Sequence, residues 1–293
     1  MGKTKKYFIC MLILYVCLCV LNGGLLQVKA HAMPFYDLKP AFIRLRAEFS
    51  TDYSKSSPER KSNIALASRS LNNVFVDVGG EFSFNRTVGP RTEKRGYQKA
   101  KIIVKGEFVE GVGGGVCQVS TTLYNAILLS GLKVTEYHPH SLPVNYVAPS
   151  FDAMVNSGSA DLRFINNTHN PIIIKTSADG DRLKVQILGE PMKECYQRKS
   201  TIKEYISPPE QLVIYDDELK YPDLYQGEIK FLQYAKQGVV SEGLLIKTVN
   251  GKPISAKVIR KDRYNPVRQI VVEGRAVREN EGNIEQIIDG IVS

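Results

Sequence analysis

The chain has 293 residues, with 39 Lys and Arg against 30 Asp and Glu, a net charge of +9, and 43% hydrophobic residues. This is an ordinary globular composition, which excludes a collagen-like or low-complexity chain, and the length suggests two domains. The basic residues are dispersed along the chain rather than clustered, so we expect no nucleic acid among the partners.

The N-terminal 32 residues have the pattern of a secretory signal. Lys3, Lys5 and Lys6 precede an apolar run over residues 7–21, and Ala30 and Ala32 provide small residues for a cleavage site. An uncleaved N-terminal membrane anchor is the alternative, because the apolar run is near the lower limit for spanning a bilayer. Loss of this segment, which holds four lysines and no acidic residue, lowers the net charge from +9 to +5. That mild basicity suits a protein beside an anionic wall or membrane surface.

Residues 45–190 have the pattern of an α+β domain, with helices packed on an antiparallel sheet. Residues 33–55 show little periodicity and are expected to lead into it. A capping box with proline at Ser56 to Glu59 predicts a helix that ends at Leu71. Runs rich in β-branched and aromatic residues predict strands at 74–78, 81–84, 101–105, 107–110, 133–137, 144–147, 162–165, 171–175 and 182–188, the last three as a meander.

The remainder reads as a second, smaller domain. Residues 191–209 are charged and contain three prolines, which predicts a linker, and residues 276–293 form a polar tail. Between them, residues 210–275 read as an all-β module with Asn250-Gly251 as its strongest hairpin turn. Strands of this module are predicted at 212–215, 228–232, 243–248, 254–259 and 269–272.

A glycine-rich stretch, four glycines within residues 111–115, precedes Cys117 and a predicted helix. The helix has one apolar face, formed by Val119, Leu123, Ala126 and Ile127. The first turn of a helix favours negative charge, so a thiol placed there has a lowered pKa and is a candidate nucleophile. Cys117 is alternatively a small buried hydrophobic residue, or the disulfide partner of Cys195.

Two histidines follow this helix, His138 and His140, at 21 and 23 residues after Cys117. A helix of about 14 residues and a returning strand would bring them back to the cysteine. A Cys–His pair performs nucleophilic acyl transfer, with His140 or His138 as the base and Asp152 or Asp161 as its orienting carboxylate. Backbone N–H groups at the helix start could form the oxyanion hole. The alternatives are that the histidines are turn residues, or that they bind a metal together with Cys117.

The glycine loop and the polar side of the helix are the predicted substrate-binding surface. Its positions are Gly113, Gly114, Gly115, Gln118, Ser120 and Thr121. A solvated helix face is the alternative for the polar side chains. A basic rim for an anionic ligand is predicted at Arg91, Arg95 and Lys99. We expect no cofactor and no resident metal.

Several of these motifs together resemble the VanW family of bacterial envelope proteins. The resemblance covers roughly residues 45–175, and its motifs are Phe82-Ser-Phe-Asn85, Val88-Gly-Pro-Arg91, Gly96-Tyr97, residues 111–126 and His140-Ser-Leu-Pro143. The family takes its name from an accessory gene of vancomycin-resistance clusters and is frequent in Gram-positive bacteria. The resemblance implies an envelope location but no settled reaction.

Two looser resemblances bear on binding and mechanism. Residues 210–275 resemble the extracellular G-five domain, which implies binding of glycans that contain N-acetylglucosamine. Gly115-Val-Cys117-Gln and the following helix are similar to the cysteine helix of papain-like and transglutaminase-like folds. In those folds the histidine usually comes later in the chain, followed by its own aspartate.

We therefore expect an exported protein, secreted or at the outer face of the cytoplasmic membrane, that is associated with the cell wall. Its partners are peptidoglycan, stem peptides and glycans, and membrane anchoring through the N-terminus remains open. The function we predict is modification or hydrolysis of wall peptide amide bonds by the Cys–His site. A non-catalytic peptidoglycan- or glycan-binding module is the alternative, which would have an unperturbed thiol at Cys117.

Overall fold

The structure, a computed structural model, describes residues 43–104 and 107–277, and within these ranges it is rich in sheet with few helices. The α-helices are α1 (Pro58–Leu71), α2 (Phe84–Val88) and α3 (Val116–Leu129). The strands of the N-terminal part are β1 (Arg44–Asp52), β2 (Val74–Val76), β3 (Glu81–Ser83), β4 (Lys99–Val104), β5 (Glu107–Val112), β6 (Lys133–Glu136), β7 (Arg163–Ile165), β8 (Ile172–Ala178) and β9 (Arg182–Gly189). Those of the C-terminal part are β10 (Glu194–Ile206), β11 (Leu212–Tyr215), β12 (Ile229–Gln233), β13 (Gly238–Val249), β14 (Lys252–Tyr264) and β15 (Ile270–Glu273).

The main sheet of the N-terminal part is antiparallel, with the strand order β1-β9-β8-β2. Strand β9 alternates buried and half-buried residues after Arg182, so that Leu183, Val185 and Ile187 share one face. These residues belong to the same buried core as the apolar residues of α1 and α3. The helices-on-sheet arrangement predicted for this region is therefore present.

Helix α1 begins where the sequence predicts. The hydroxyl of Ser57 caps the helix by accepting from the N–H of Arg60, and proline occupies the first turn. Both features suit a helix N-terminus. The Ser57 hydroxyl pairs a backbone N–H that has no partner within the helix, and proline has no N–H to pair. The helix ends at Leu71, as the periodicity predicts.

Helix α3 is buried on nearly all sides, unlike the amphipathic helix predicted from its apolar face. Twelve of its 14 residues are buried, including Ser120, Thr121 and Asn125. The β4–β5 hairpin leads into it through the glycine loop, in which Gly113 and Gly115 have φ of +87° and +110°. Residues with a Cβ rarely adopt such values, so the glycines permit this sharp entry into the helix.

Three expectations for the N-terminal part are wrong. Most of the supposed lead-in at 33–55 that the structure describes is strand β1, paired along its length with β9. Residues 144–147 form no strand. Strand β7 does not join β8 and β9 in a meander, but lies between β3 and β6 in a separate sheet. Local residue patterns predict a strand's existence better than its partners, which depend on tertiary packing.

The C-terminal part contains two three-stranded sheets, in the orders β10-β13-β14 and β11-β15-β12. The stretch predicted as a linker, 191–209, contains the 13-residue strand β10, which pairs with β13 throughout. Half-buried and exposed residues alternate over residues 194–200, so the composition that suggested a linker belongs to a partly solvated strand. Asn250 and Gly251, with φ of 49° and 75°, form the predicted turn between β13 and β14.

The predicted signal peptide, 1–32, lies outside the described residues, as does the tail after residue 277. Within residues 43–104 and 107–277, no helix has the length and apolar character required to cross a bilayer. The other limits predicted for the domains stay predictions.

We expect Gly114→Ala to destabilise the fold at the base of the glycine loop. A Cβ at this position would lie 2.8 Å from the backbone carbon and oxygen of Ala100, and backbone atoms cannot move aside cheaply. The free energy of unfolding, measured with urea, should fall by about 1–3 kcal/mol. Gly158→Ala is the control, because a Cβ there meets no atom within 4 Å. Equal midpoints for the two variants would contradict the close approach.

Candidate active site

Cys117 is the second residue of α3, immediately after the glycine loop. Its side chain is half-buried, and its sulfur lies 3.3 Å from the carbonyl oxygen of Val155. Cys117 and Cys195 are both free thiols, and Cys195 is exposed on β10. The alternative of a disulfide between them is therefore wrong in this structure, and the Cys117 sulfur is available for chemistry.

His140 is the histidine that meets this thiol. Its ring is 6% exposed, and Nδ1 lies 2.7 Å from Oδ2 of Asp152. The same carboxylate oxygen accepts the backbone N–H of His140 at 2.7 Å, so one residue orients both the ring and its backbone. The imidazole also lowers the pKa of the Cys117 thiol through hydrogen bonding and positive charge, and Nε2 is the nitrogen left for this interaction because Nδ1 faces Asp152. Cys117, His140 and Asp152 thus form one chain of interactions, in which Asp152 orients the ring that acts on the thiol.

The charges within this chain favour an ion pair between Cys117 and His140. Burial alone would raise the pKa of the Cys117 thiol, but the hydrogen bond and positive charge of His140, together with Arg91, lower it. Burial alone would likewise lower the pKa of His140, but Asp152 and Cys117 raise it to about 9. At neutral pH these shifts favour a thiolate beside an imidazolium, the reactive state of a nucleophilic cysteine.

The carboxylate of Asp152 is held by two residues of the C-terminal part. The hydroxyl of Tyr264 donates to Oδ1 at 2.5 Å, and a guanidinium nitrogen of Arg260 lies 3.2 Å from the same oxygen. Arg260 also donates to the backbone carbonyl of Asp152 and pairs with Asp262 at 2.9 Å. Burial raises the pKa of Asp152, but the bonds and charges of His140, Arg260 and Tyr264 outweigh it and lower that pKa. The carboxylate stays ionised although it is only 1% exposed.

Tyr146 joins the cluster from the segment between His140 and Asp152. Burial and the negative charges of Cys117 and Asp152 raise the pKa of its phenol, so the hydroxyl remains protonated. Arg60 and hydrogen bonding by Thr121 act against this rise in pKa without cancelling it. Tyr146 can therefore act as a neutral hydrogen-bond donor beside the thiol.

The remaining candidates for the imidazole and carboxylate roles have other partners. His138 lies 3.0 Å from Oε1 of Glu136 and is about one-third exposed. Asp161 accepts hydrogen bonds from Ser83 at 2.6 Å and from Arg163 at 3.0 Å. The structure brings neither residue into contact with Cys117, so His140 is the histidine that acts on the thiol and Asp152 is the carboxylate that orients that histidine.

The predicted substrate-binding surface on α3 needs a correction. Gln118, Ser120 and Thr121 are buried and satisfied within the protein: Gln118 donates to Thr51 at 3.0 Å, and Ser120 donates to Ala153 at 2.6 Å. Thr121 accepts the N–H of Ala153 at 2.9 Å. Ser120 and Thr121 thus hold the segment at 150–155 against the helix, Gln118 holds the end of β1, and the three present neither a groove nor a solvated face. Of the three loop glycines, Gly114 and Gly115 are buried and Gly113 is partly exposed.

Three members of the cluster are absent from the sequence-based site. Tyr146 lies in a stretch predicted as a strand, where an aromatic residue is unremarkable. Arg260 and Tyr264 lie more than 100 residues after Asp152, so proximity along the chain offers no hint. The sequence of β14 does contain a clue to these residues: Arg260, Asp262 and Tyr264 occupy every second position and share the buried face of the strand. Charged residues on the inward face of a strand require partners, and here the partner is Asp152.

No metal site accompanies the cluster in the part of the chain that the structure describes. Within residues 43–104 and 107–277, no three His, Cys, Asp or Glu residues are arranged to hold an ion.

The comparisons with known proteins identify two domains in this chain. Residues 59–188 match the model of VanW-like proteins, and residues 199–276 match the model of the G5 domain. The chain thus carries a VanW-like domain followed by a G5 domain, as the sequence resemblance predicts. The candidate cluster combines Cys117, Tyr146 and Asp152 from the first with Arg260 and Tyr264 from the second.

The particular relatives are bacterial. Protein YoaR of Bacillus subtilis is 40% identical over 152 residues, which are 52% of this chain and 50% of YoaR. The vancomycin B-type resistance protein VanW of Enterococcus faecalis is 26% identical over 133 residues, 44% of this chain and 48% of that protein. The chain spans about half the length of these curated relatives. The solved G5 domain of IgA1 protease is 23% identical with a TM-score of 0.19, over 28% of this chain and 90% of that one.

We expect His140→Gln to raise the pKa of Cys117, because the imidazolium that favours the thiolate is removed. The measurement is the alkylation rate of Cys117 by iodoacetamide against pH. At pH 6 the variant should react at least about tenfold more slowly than wild type, since the thiolate fraction falls tenfold for each pH unit that the midpoint rises. His138→Gln is the matched control and should leave the profile unchanged. Coincident profiles for all three proteins would contradict the ion pair.

Tyr264→Phe should destabilise the protein through the contact between its domains. The hydroxyl donates to Asp152 and accepts the N–H of Ser150 at 2.7 Å, and both groups are buried. Removing it should lower the free energy of unfolding by about 1–3 kcal/mol, measured with urea. Tyr205→Phe is the control, because Tyr205 is 61% exposed. A Tyr264 variant as stable as this control would show that the buried contact contributes nothing.

Proposed function

We propose that this protein is a cell-wall-associated cysteine enzyme that cleaves or transfers peptide amide bonds of peptidoglycan. The observation that carries the proposal is the ring of His140, fixed by Asp152 at 2.7 Å, which acts on the Cys117 thiol at the start of α3. This is the arrangement that nucleophilic acyl transfer uses: a thiolate, an imidazole that moves protons, and a carboxylate that orients the imidazole.

The reaction begins with attack of the Cys117 thiolate on the carbonyl carbon of the amide. A sulfur–carbon bond forms, and the carbonyl electrons move to the oxygen. The carbon–nitrogen bond then breaks as the imidazolium of His140 gives its proton to the departing amine. The resulting thioester is attacked by water or by another amine, whose proton His140 accepts, and the thiolate leaves. Asp152 remains ionised throughout, because Arg260 and Tyr264 hold its charge.

The oxyanion formed in this reaction needs hydrogen-bond donors, and the site offers two. No side chain caps α3, and among the described residues the N–H of Cys117 has no backbone acceptor. The protonated phenol of Tyr146 is the second donor. Donors fixed in a half-buried site stabilise developing negative charge without reorganisation, which is how oxyanion holes lower barriers.

The proposed wall association and export have support from outside the site. One relative is named for vancomycin resistance, and a G5 domain is present. The net charge, +9 for the whole chain and +5 without residues 1–32, favours an anionic envelope surface. The sheet β11-β15-β12 also presents exposed aromatic rings, with Phe231 and Tyr234 stacked at 5.0 Å, that suit contact with glycan rings. The predicted signal at residues 1–32 agrees with this location.

The test compares muropeptides by mass spectrometry after incubation of peptidoglycan sacculi with wild type, Cys117→Ala and Cys195→Ala. We expect wild type and Cys195→Ala to change the muropeptide profile, and Cys117→Ala to leave it unchanged, because only Cys117 is the nucleophile. Binding to sacculi, measured by co-sedimentation, should be equal for the three proteins.

A Cys117→Ala profile identical to that of wild type would overturn the enzymatic proposal. If no protein changed the profile while all three bound, the non-catalytic peptidoglycan-binding function would replace it.

A further inference from the structure

Two arginine side chains lie against the glycine loop that precedes Cys117. A Cβ at Gly113 would be 3.1 Å from Cβ of Arg91, and one at Gly115 would be 3.1 Å from Cγ of Arg60. The missing side chains at these glycines therefore leave room for the two arginine stems. Arg91 comes from the loop after α2 and Arg60 from the first turn of α1, so two separate elements bring positive charge to the same loop.

The positive charges of both guanidinium groups act on residues of the candidate site. The charge of Arg91 favours the Cys117 thiolate, and that of Arg60 acts on Tyr146, which itself senses Cys117. Arg95 and Lys99, the other members of the rim predicted from sequence, are exposed, and Arg95 donates to the carbonyls of Val88 and Pro90. Arg91 of the predicted basic rim thus acts on the thiol, Arg60 joins it, and a binding role for Arg95 and Lys99 stays a prediction.

Neither arginine has a carboxylate partner among the described residues. Arg91 donates to Oδ1 of Asn85 at 2.6 Å and to Ser157 at 3.4 Å, and Arg60 donates to Oε1 of Gln118 at 2.8 Å. These acceptors are neutral, and no acidic oxygen of the described residues lies within 4.0 Å of either group. By contrast, the buried Arg260 of the same structure pairs with two carboxylates.

This arrangement leaves binding capacity unused. A guanidinium has five N–H donors, and the hydrogen bonds described above use three of the ten that Arg91 and Arg60 carry together. Both side chains are half-buried, and partial burial lowers the pKa of Arg91 because it opposes the positive charge. A carboxylate that binds here would restore the interactions lost on burial and form charge-assisted hydrogen bonds.

The other charged groups of the cluster do not supply that carboxylate. The thiolate of Cys117 faces two cations, His140 and Arg91, and Asp152 is engaged by His140, Arg260 and Tyr264. Asp161 acts on Arg91 only at a distance, because its oxygens accept from Ser83, Arg163 and backbone N–H groups. The half-buried side of the cluster therefore carries an excess of positive charge.

We infer that Arg60 and Arg91 form a carboxylate-binding site beside Cys117, so that the molecule attacked by the thiolate carries a free carboxylate close to the reacting carbon. The identification of the acyl donor as a peptide with a nearby carboxylate rests on the proposed function. The positive charge beside the thiol does not, and it can be tested without any turnover of peptidoglycan.

The test compares alkylation of Cys117 by iodoacetate and iodoacetamide at pH 7.5. In both reactions the thiolate displaces iodide and a sulfur–carbon bond forms, but only iodoacetate carries a carboxylate. The ratio of the two rates, followed by mass spectrometry on the peptide that contains Cys117, cancels changes in thiol reactivity. We expect Arg91→Gln and Arg60→Gln each to lower the ratio about two- to sixfold, the effect of a unit charge a few ångströms away in water.

Three variants complete the design. Arg91→Lys and Arg60→Lys keep the charge and should keep most of the ratio, which separates the loss of charge from a loss of folding. Arg69→Gln changes an exposed arginine at the far end of α1, about 13 Å along the helix from Arg60, and should leave the ratio at the wild-type value. Added salt should lower the wild-type ratio, because it screens partly exposed charges.

A second measurement addresses binding itself. N-acetyl-alanyl-alanine should slow alkylation of Cys117 by iodoacetamide in wild type more than its C-terminal amide does, and this difference should vanish in Arg91→Gln. Equal ratios in wild type, Arg91→Gln, Arg60→Gln and Arg69→Gln, or equal protection by acid and amide, would overturn the carboxylate site. A lowered ratio with unchanged muropeptides would uphold this site while the amide-cleaving function fails.

Discussion

The site depends on one buried negative charge, the carboxylate of Asp152. Oδ2 fixes both the ring and the backbone of His140, while Oδ1 receives Tyr264 and Arg260. An ionised carboxylate that is 1% exposed is costly unless it is paired and fully hydrogen-bonded. These partners meet the requirement from two domains at once. The reactive state of Cys117 therefore depends on a residue that never touches it.

The helix that carries Cys117 is held from several directions. The segment at 150–155 is tied to α3 by Ser120, Thr121 and Asn125, which bond to Ala153 and Phe151. On another side Arg198 of β10 donates to Asn125 and lies over the ring of Phe151 at 4.8 Å. Polar residues in a buried helix usually weaken the fold, but here each has a partner in a neighbouring segment. The polar side of α3 thus fixes the segment that carries Asp152 relative to the helix that carries Cys117.

The sequence predicts those features of this structure that depend on residues near one another in the chain, and it does not predict those that depend on distant residues. The cap at Ser57 and the turn at Asn250 and Gly251 depend on adjacent residues, and both lie where the local rules place them. Cys117 at a helix start and a histidine returning to it are also predictable, because helix length sets the return distance. The choice of His140 over His138, the burial of Thr121 and the pairing of β7 depend on distant parts of the chain.

The arginine and the tyrosine that hold Asp152 lie on β14 at positions 260 and 264, on the inward face of a G5 domain. Another domain joined at the same place need not carry these two residues. In this chain an exchange would leave an unneutralised carboxylate unless the incoming domain offered a cation and a hydroxyl at the same two places. The boundary between the two family matches is therefore a poor place for recombination, and evolution of the two halves is constrained to proceed together.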